Sequence, residues 1–363
     1  MQTNNQIISF VKENRNKILT HHIKNEKVIW PFQFKNNEAK ILAFLAINSP
    51  LHFAHFFKFS IAKIQELINQ PAYTSYSIPK KKGGQRAIEA PNEELKELQR
   101  RINYYLQHYY LYFKPKNVNG FIIADYSSEI RSNIIENARP HVKAKYVLNL
   151  DIKDFFSSID GNRVFKLFRS TLFDYSEESA MALTLLCTYK GMLPTGSPAS
   201  PVISNFICLE MDASIHSFCA LNNITYSRYA DDLTFSSNTF FSEKLILEIK
   251  KIVEKANFKL NNKKIRLKSA NRKQIVTGLV VNDKVNLNRK TIKLIRAILH
   301  DFKKNGLDIA VANHFKIKNE ITNEMKLKFK NKLIGHIQFL KQVRGEDTLY
   351  QKFKCDLDEL IKS

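Results

Sequence analysis

The spacing of apolar positions changes character several times along the chain. Through residue 70 they recur at mixed intervals of three and four, which predicts helices, with a stop near Gln70-Pro71. The most apolar stretch, Ile41 to Phe59, is broken by Asn48, Pro50, two histidines and a lysine, so it reads as a buried or half-buried helical pair and not a membrane span. The period then shortens to two. Tyr73 to Ile78 alternates, Pro79 to Gly84 carries turn residues, and Gln85 to Ile88 resumes an extended pattern, a hairpin with a basic Gly-Gly tip. Asn92 to Phe113 regains helical spacing with acidic residues at its start.

Tyr146 to Ile152 is a β-rich run that ends in acids, and one helix is expected from Asn162 to Lys190. Pro194 to Pro201 is a loop of small residues leading into an apolar helix, Val202 to Leu221. Thr225 to Ser237 places two β-like stretches around a polar centre, again a hairpin. A helix over Ser242 to Asn257 precedes a strand near Arg266 and another over Ile275 to Asn282, and from about Leu287 the pattern is helical.

Composition narrows the class. The chain has 363 residues, 44% hydrophobic and 25% charged, which excludes disorder, collagen and a disulfide scaffold and leaves room for a sizeable core. Charge is less ordinary: Lys and Arg number 57 against 34 Asp and Glu, a net +23. Residues 251–363 alone hold 27 of those bases and 11 acids. Bases there recur at helical spacing (Arg289, Lys293, Arg296; Lys326, Lys330), which points to a surface that grips a polyanion such as nucleic acid. Four cysteines without a CxxC, and an N-terminus without a signal pattern, point to reduced thiols in the cytoplasm and no membrane association.

Three carboxylates invite chemistry. Asp151 ends the apolar run YVLNL, and Asp231-Asp232 form the centre of a hairpin. Adjacent acids at a turn repel each other, and a divalent cation offsets that repulsion; taken alone, however, Asp-Asp at a turn reads as simple turn chemistry. Carboxylates from two strand ends suffice to hold two Mg2+ ions, which take oxygen ligands from protein, water and phosphate.

The strings LDIKDFFSSI, GMLPTGSPASPVISNF and YSRYADDLTFS occur in that order, preceded by the hairpin IPKKKGGQRAIEAP. Together they resemble the A, B and C motifs of reverse transcriptases, with YADD at residues 229–232 similar to that family's active-site hairpin. Asn137-Ala138-Arg139-Pro140-His141 matches the NAxxH motif of bacterial retron reverse transcriptases, and Val276-Thr277-Gly278 matches their VTG triplet. One departure stands out: Asn119-Gly120-Phe121 replaces the usual His-Gly-Phe, with a longer gap to Asn137.

The resemblance implies roles. Asp151, Asp231 and Asp232 would be catalytic and hold the metals, with the Ile152 carbonyl as a further ligand. Phe156 stands where relatives place the aromatic gate against a ribose 2′-OH, although Phe155-Phe156 also suits a core. Lys82 and Arg86 would reach the incoming triphosphate, unless the hairpin is simply solvated. Thr195, Gly196 and Ser197 would line the nucleotide pocket, the small residues allowing close backbone approach to the templating base pair, with Thr195 in place of the more usual Gln. Lys264 would protonate departing pyrophosphate, with Lys263 an equal-looking neighbour. Asn137 and His141 would brace the fingers or contact RNA, and Val276, Thr277 and Gly278 would lie near the primer or the RNA.

The expected fold is α+β, a right-hand polymerase: N-terminal helices and fingers over 1–145, a palm with an antiparallel sheet over 146–285 carrying a fingers insert at about 162–200, and a basic helical thumb over 286–363. The implied activity is RNA-directed DNA synthesis from dNTPs on a structured non-coding RNA, primed from an RNA 2′-OH to give branched RNA-linked DNA, in anti-phage defence with a separate effector protein. Two alternatives stay open: another bacterial reverse transcriptase of the abortive-infection or group-II-intron-like kind, and a catalytically idle RNA-binding scaffold.

Overall fold

The computed structural model describes residues 9–15, 17–18, 36–80, 83–123, 132–317 and 320–362. The chain gathers into two compact units. The first draws on Met1–Ser132, Leu150–Leu233 and Ser242–Ile265; the second on Asn133–Asn149, Thr234–Phe241 and Arg266–Ser363. The segment expected as a thumb, 286–363, lies wholly inside the second.

In the first unit a helical stretch over residues 9–15 precedes helices α1 (Asn36–Leu45), α2 (Pro50–Phe57) and α3 (Ile61–Asn69). Ser49 and Ser60 accept hydrogen bonds from His52 N and Lys63 N and so start α2 and α3 at the polar breaks in the apolar run. Strands β1 (Tyr73–Pro79) and β2 (Gln85–Pro91) form the expected antiparallel hairpin, in register from Tyr73 opposite Pro91 to Pro79 opposite Gln85. Helix α4 (Glu93–Tyr110) begins where Asn92 Oδ1 accepts from Leu95 N at 3.0 Å, with Glu93 and Glu94 in the first turn.

The single helix expected over 162–190 is two. After the short helix α5 (Ile134–Ala138) of the second unit, helix α6 (Gly161–Arg169) and helix α7 (Glu177–Cys187) are separated by a turn. Asp174 takes a left-handed conformation (φ 53°), buried Tyr175 donates from its hydroxyl to the Phe44 carbonyl at 2.9 Å, and Ser176 caps the second helix. The tertiary anchor at Tyr175 overrides a helical periodicity that runs through it. The apolar helix expected over 202–221 is likewise two, α8 (Ser200–Ile207) and α9 (Leu209–Leu221), meeting at Cys208.

Strands β3 (Tyr146–Asp151), β4 (Thr225–Tyr229), β5 (Asp232–Ser237) and β6 (Arg266–Ser269) form a four-stranded sheet in the order β4-β5-β3-β6. Strands β3 and β5 each begin in one unit and end in the other. Helix α10 (Glu243–Lys255), capped by Ser242, follows β5.

In the second unit β3 pairs antiparallel with β6, Tyr146 opposite Ser269 and Asn149 opposite Arg266. The strand expected over 275–282 is instead a small hairpin, β7 (Ile275–Val276) and β8 (Leu279–Val280), joined by Thr277 (φ 46°) and Gly278 (φ 86°). Two consecutive left-handed residues reverse the chain, a conformation glycine adopts without cost. Helices α11 (Arg289–Phe315, kinked at Gly306), α12 (Asn323–Arg344) and α13 (Thr348–Lys362) complete the unit. Its core joins distant segments: Ile135, Ala138 and Val147 pack in one cluster with Leu299, Phe329, Leu340 and Phe353.

Candidate active site

All three candidate carboxylates belong to the first unit. Asp151 is the last residue of β3, and Asp231 and Asp232 lie at and after the two-residue turn between β4 and β5. The two strand ends are stitched side by side: Ile152 N donates to Asp231 O at 2.9 Å. Asp151 is held from its other neighbour too, since Asn261 N donates to Asp151 O at 2.8 Å and Ile152 bridges Leu260. Backbone pairing, which needs no side-chain chemistry, therefore brings distant acids to one place.

Their electrostatics are unusual. Burial, and then the charge of Asp151, hold the Asp231 carboxyl above the ordinary carboxylate range, against the opposing pull of its own backbone N–H, of Lys264 and of Arg86. Lys264 Nζ lies 2.6 Å from Asp151 Oδ1 in an ion pair whose lysine side is half exposed. Lys263, its equal in sequence, is exposed and makes no such contact, so the structure distinguishes the two. Among the described residues no group of three acidic, histidine or cysteine side chains is gathered closely enough to enclose a metal ion. The donor chemistry still fits a hard divalent cation: carboxylate oxygens on adjoining strand ends, whose burial and mutual charge a cation would offset.

Around these acids, Phe155 is buried and stacks on Phe258 with ring centroids 5.6 Å apart, whereas Phe156 is half-buried and meets Phe121 at 5.7 Å. The core role belongs to Phe155, leaving the Phe156 ring partly open. Arg86 is exposed on β2, close enough for its charge to act on Asp231. Lys82 lies outside the described residues.

The loop before α8 packs on the hairpin. A Cβ on Gly196 would sit 2.4 Å from the Glu89 carbonyl oxygen, so the close backbone approach that demands glycine here is to β2 of the hairpin. Thr195 Oγ1 donates to the Ala87 carbonyl at 2.9 Å, tying the same loop to the same strand. Ser197 is buried, and its Oγ accepts from Ala199 N at 3.2 Å at the start of α8. Only Thr195 of the three is exposed.

The residues assigned to RNA divide in the second unit. Asn137 and His141 are wholly buried, and His141 Nδ1 shares a 2.7 Å hydrogen bond with Ser236 Oγ. Burial lowers the His141 pKa to about 4, which keeps the ring neutral. Val276 is buried as well, while Thr277 is half-buried, donating from Oγ1 to the Ile134 carbonyl at 2.9 Å, and Gly278 is exposed. Asn137, His141 and Val276 are thus enclosed within the second unit, and the tip of the β7–β8 turn is the part of this group at the surface.

One feature escaped the sequence reading. Arg228, on the strand that leads into YADD, is wholly buried and paired with wholly buried Asp212, Nη2 to Oδ2 at 2.7 Å. The available signal was an arginine within a short β-rich run and an aspartate within an apolar helix, each costly alone. Gly120, of the departing Asn119-Gly120-Phe121, is also explained: a Cβ there would lie 2.3 Å from Ala230 N, so only glycine lets this strap lie against the turn.

A family model described as reverse transcriptase (RNA-dependent DNA polymerase) matches residues 78–310. The chain is 34% identical over 237 residues to the retron Ec86 reverse transcriptase of Escherichia coli, covering 63% of this chain and 69% of that protein. It is 32% identical over 281 residues to the retron Ec83 reverse transcriptase of the same species, covering 69% and 82%. Among solved structures, a Candida albicans telomerase in complex with a fragment of telomeric RNA aligns with a TM-score of 0.44 and 10% identity over 80% of this chain and 63% of that one.

Proposed function

Since the chain belongs to the reverse transcriptase family, as an RNA-directed DNA polymerase of the bacterial retron kind, we propose that Asp151, Asp231 and Asp232 are its catalytic carboxylates and that it copies a structured non-coding RNA into DNA primed from an RNA 2′-OH. The product would be a branched RNA-linked DNA, made in anti-phage defence alongside a separate effector protein. The observation that carries the reading is the union of Asp151 and Asp231 through the Ile152–Asp231 backbone hydrogen bond, with Lys264 and Arg86 supplying positive charge to the two acids.

Asp151, Asp231 and Asp232, with the Ile152 carbonyl, would hold two Mg2+ ions. Bound there, the ions would supply charge stabilisation to the attacking hydroxyl and to the leaving pyrophosphate. The protein's own residues do the rest. Arg86 offers its guanidinium to triphosphate oxygens. Lys264 keeps a proton beside Asp151, ready for the leaving group. The half-open ring of Phe156 excludes a 2′-OH on the incoming sugar, while Thr195 and Gly196 fix the pocket loop to the hairpin that carries Arg86. Gly278 and Thr277, at their turn, would meet RNA or primer, as would the bases of α11 and α12.

Primer extension on an RNA template with dNTPs and Mg2+, with Asp231→Ala/Asp232→Ala as control, tests the carboxylates; extension by the control, or none by the wild type, overturns the assignment. Sequencing the nucleic acid that copurifies tests the rest. A 2′-5′ branch supports the proposal, and an unbranched product favours another bacterial class. A pull-down from native cells that recovers only nucleic acid counts against the effector.

A further inference from the structure

The buried Arg228 does more than satisfy Asp212. Its Nε reaches Asp212 Oδ1 at 2.8 Å and its Nη2 reaches Oδ2 at 2.7 Å, a bidentate pair, and Tyr226 Oη adds a third bond to Asp212 Oδ1 at 2.8 Å. The remaining amino group, Nη1, donates to Asn205 Oδ1 at 3.0 Å and to the carbonyl oxygen of Ala230 at 3.2 Å. Ala230 is the residue immediately before Asp231, and it sits in the left-handed region at φ 59°. An alanine pays conformational energy there, so something must hold the turn.

The same side chains reach the strap of residues 117–121. Asn205 Nδ2 donates to the Gly120 carbonyl at 3.0 Å, and Gly120 lies against Ala230 N too closely to admit a Cβ. The backbone of Arg228 is bound on both its polar groups to that strap, N to Asn117 O and O to Asn119 N, each at 2.9 Å. Helix α8, helix α9, the strap and β4 therefore converge on one peptide unit. A pair that served stability alone would have no need of the bond to Ala230, since buried ion pairs are commonly replaceable by apolar residues of similar size.

We infer that Arg228 is a positioning residue: locked by Asp212 and Asn205, it fixes the Ala230 carbonyl and so the direction in which Asp231 and Asp232 leave the turn. The inference rests on reading those aspartates as metal ligands. Lysine cannot replace it, because a single ammonium lacks the planar fork that joins Asp212, Asn205 and Ala230 at once.

Two variants test this, Arg228→Lys and the apolar double replacement Arg228→Met with Asp212→Leu, each compared with wild type and with Asp231→Asn/Asp232→Asn. Folding is followed by thermal melting, metal binding by electron paramagnetic resonance of Mn2+, and chemistry by single-turnover extension. The expected result is cooperative melting and RNA affinity close to wild type in the double replacement. Mn2+ affinity should fall about tenfold, and the extension rate about a hundredfold, the loss typical of reacting groups misplaced by about 1 Å. Wild-type Mn2+ binding and rate in either folded variant overturns the inference and leaves the metal-ligand reading intact. Failure of both variants to fold also overturns it, since the network is then a folding element only. If the wild type binds Mn2+ no better than Asp231→Asn/Asp232→Asn, the metal-ligand reading falls and the inference falls with it.

Discussion

Lys264 and Asp151 are in direct contact, Nζ to Oδ1 at 2.6 Å, although 113 positions separate them in sequence. The ammonium is half exposed, so the pair contributes little to stability, on the order of 0.5 kcal/mol. Its value is placement of a proton. Lys264→Ala is expected to slow single-turnover extension by about a hundredfold while leaving the melting temperature nearly unchanged, and Lys263→Ala to stay within about twofold of wild type. Equal losses in the two variants would remove the assignment.

Asp231 is expected to trade stability against activity. Its pKa is raised in the folded chain, so the native state binds a proton more readily than the unfolded one, and stability falls as pH climbs through that window. At neutral pH the ionised carboxylate is a burden. Asp231→Asn should therefore melt above wild type at pH 7 and lose extension by about a thousandfold or more. A lower melting temperature would contradict the cost ascribed to burying that charge beside Asp151.

His141 predicts the acid limb of stability. Its pKa falls from 6.5 to about 4 on burial, so the native state refuses a proton that the unfolded chain accepts. Stability present above pH 6.5 is lost as pH drops toward 4, by roughly 2 kcal/mol between pH 7 and pH 5. His141→Asn, which keeps a polar atom toward Ser236, should show a smaller difference between those pH values in urea unfolding.

The neighbouring rings Phe155 and Phe156 should separate cleanly. Phe155→Ala empties a buried site against Phe258 and is expected to cost about 3–5 kcal/mol. Phe156→Ala should cost far less and should raise ribonucleotide incorporation relative to deoxynucleotide by about 10- to 200-fold, the range for one apolar group in a pocket. Unchanged sugar selectivity in Phe156→Ala would exclude the gate.

Gly196→Ala would drive a methyl into the Glu89 carbonyl. The expected cost is about 1–3 kcal/mol, with a raised KM for dNTPs because the loop and the strand bearing Arg86 move apart. A KM equal to that of wild type would sever the link between this packing and nucleotide binding.

The hairpin at 73–91, the helix starts at Asn92 and Ser242, and the convergence of Asp151 with Asp231 were legible because each depends on local chemistry or on a motif held in a short string. The break at Asp174–Ser176 was hidden, since the hydrogen bond that anchors Tyr175 goes to Phe44, 131 positions away. The turn at Thr277-Gly278 was hidden by its brevity: two residues on either side pass for a strand. Arg228 and Asp212 were hidden differently. Each looks like a fault in an apolar pattern until the other is brought beside it, and periodicity carries no information about such partnerships.

The interleaved second unit has a consequence for biogenesis. Its core closes Ile135 of α5 and Val147 of β3 against Phe353 and Leu357, so these two segments gain those partners only once the chain has been synthesised past Leu357. Removing residues 286–363 would not excise a detachable module; it would strip the partners from Asn133–Asn149 and expose apolar surface to aggregation.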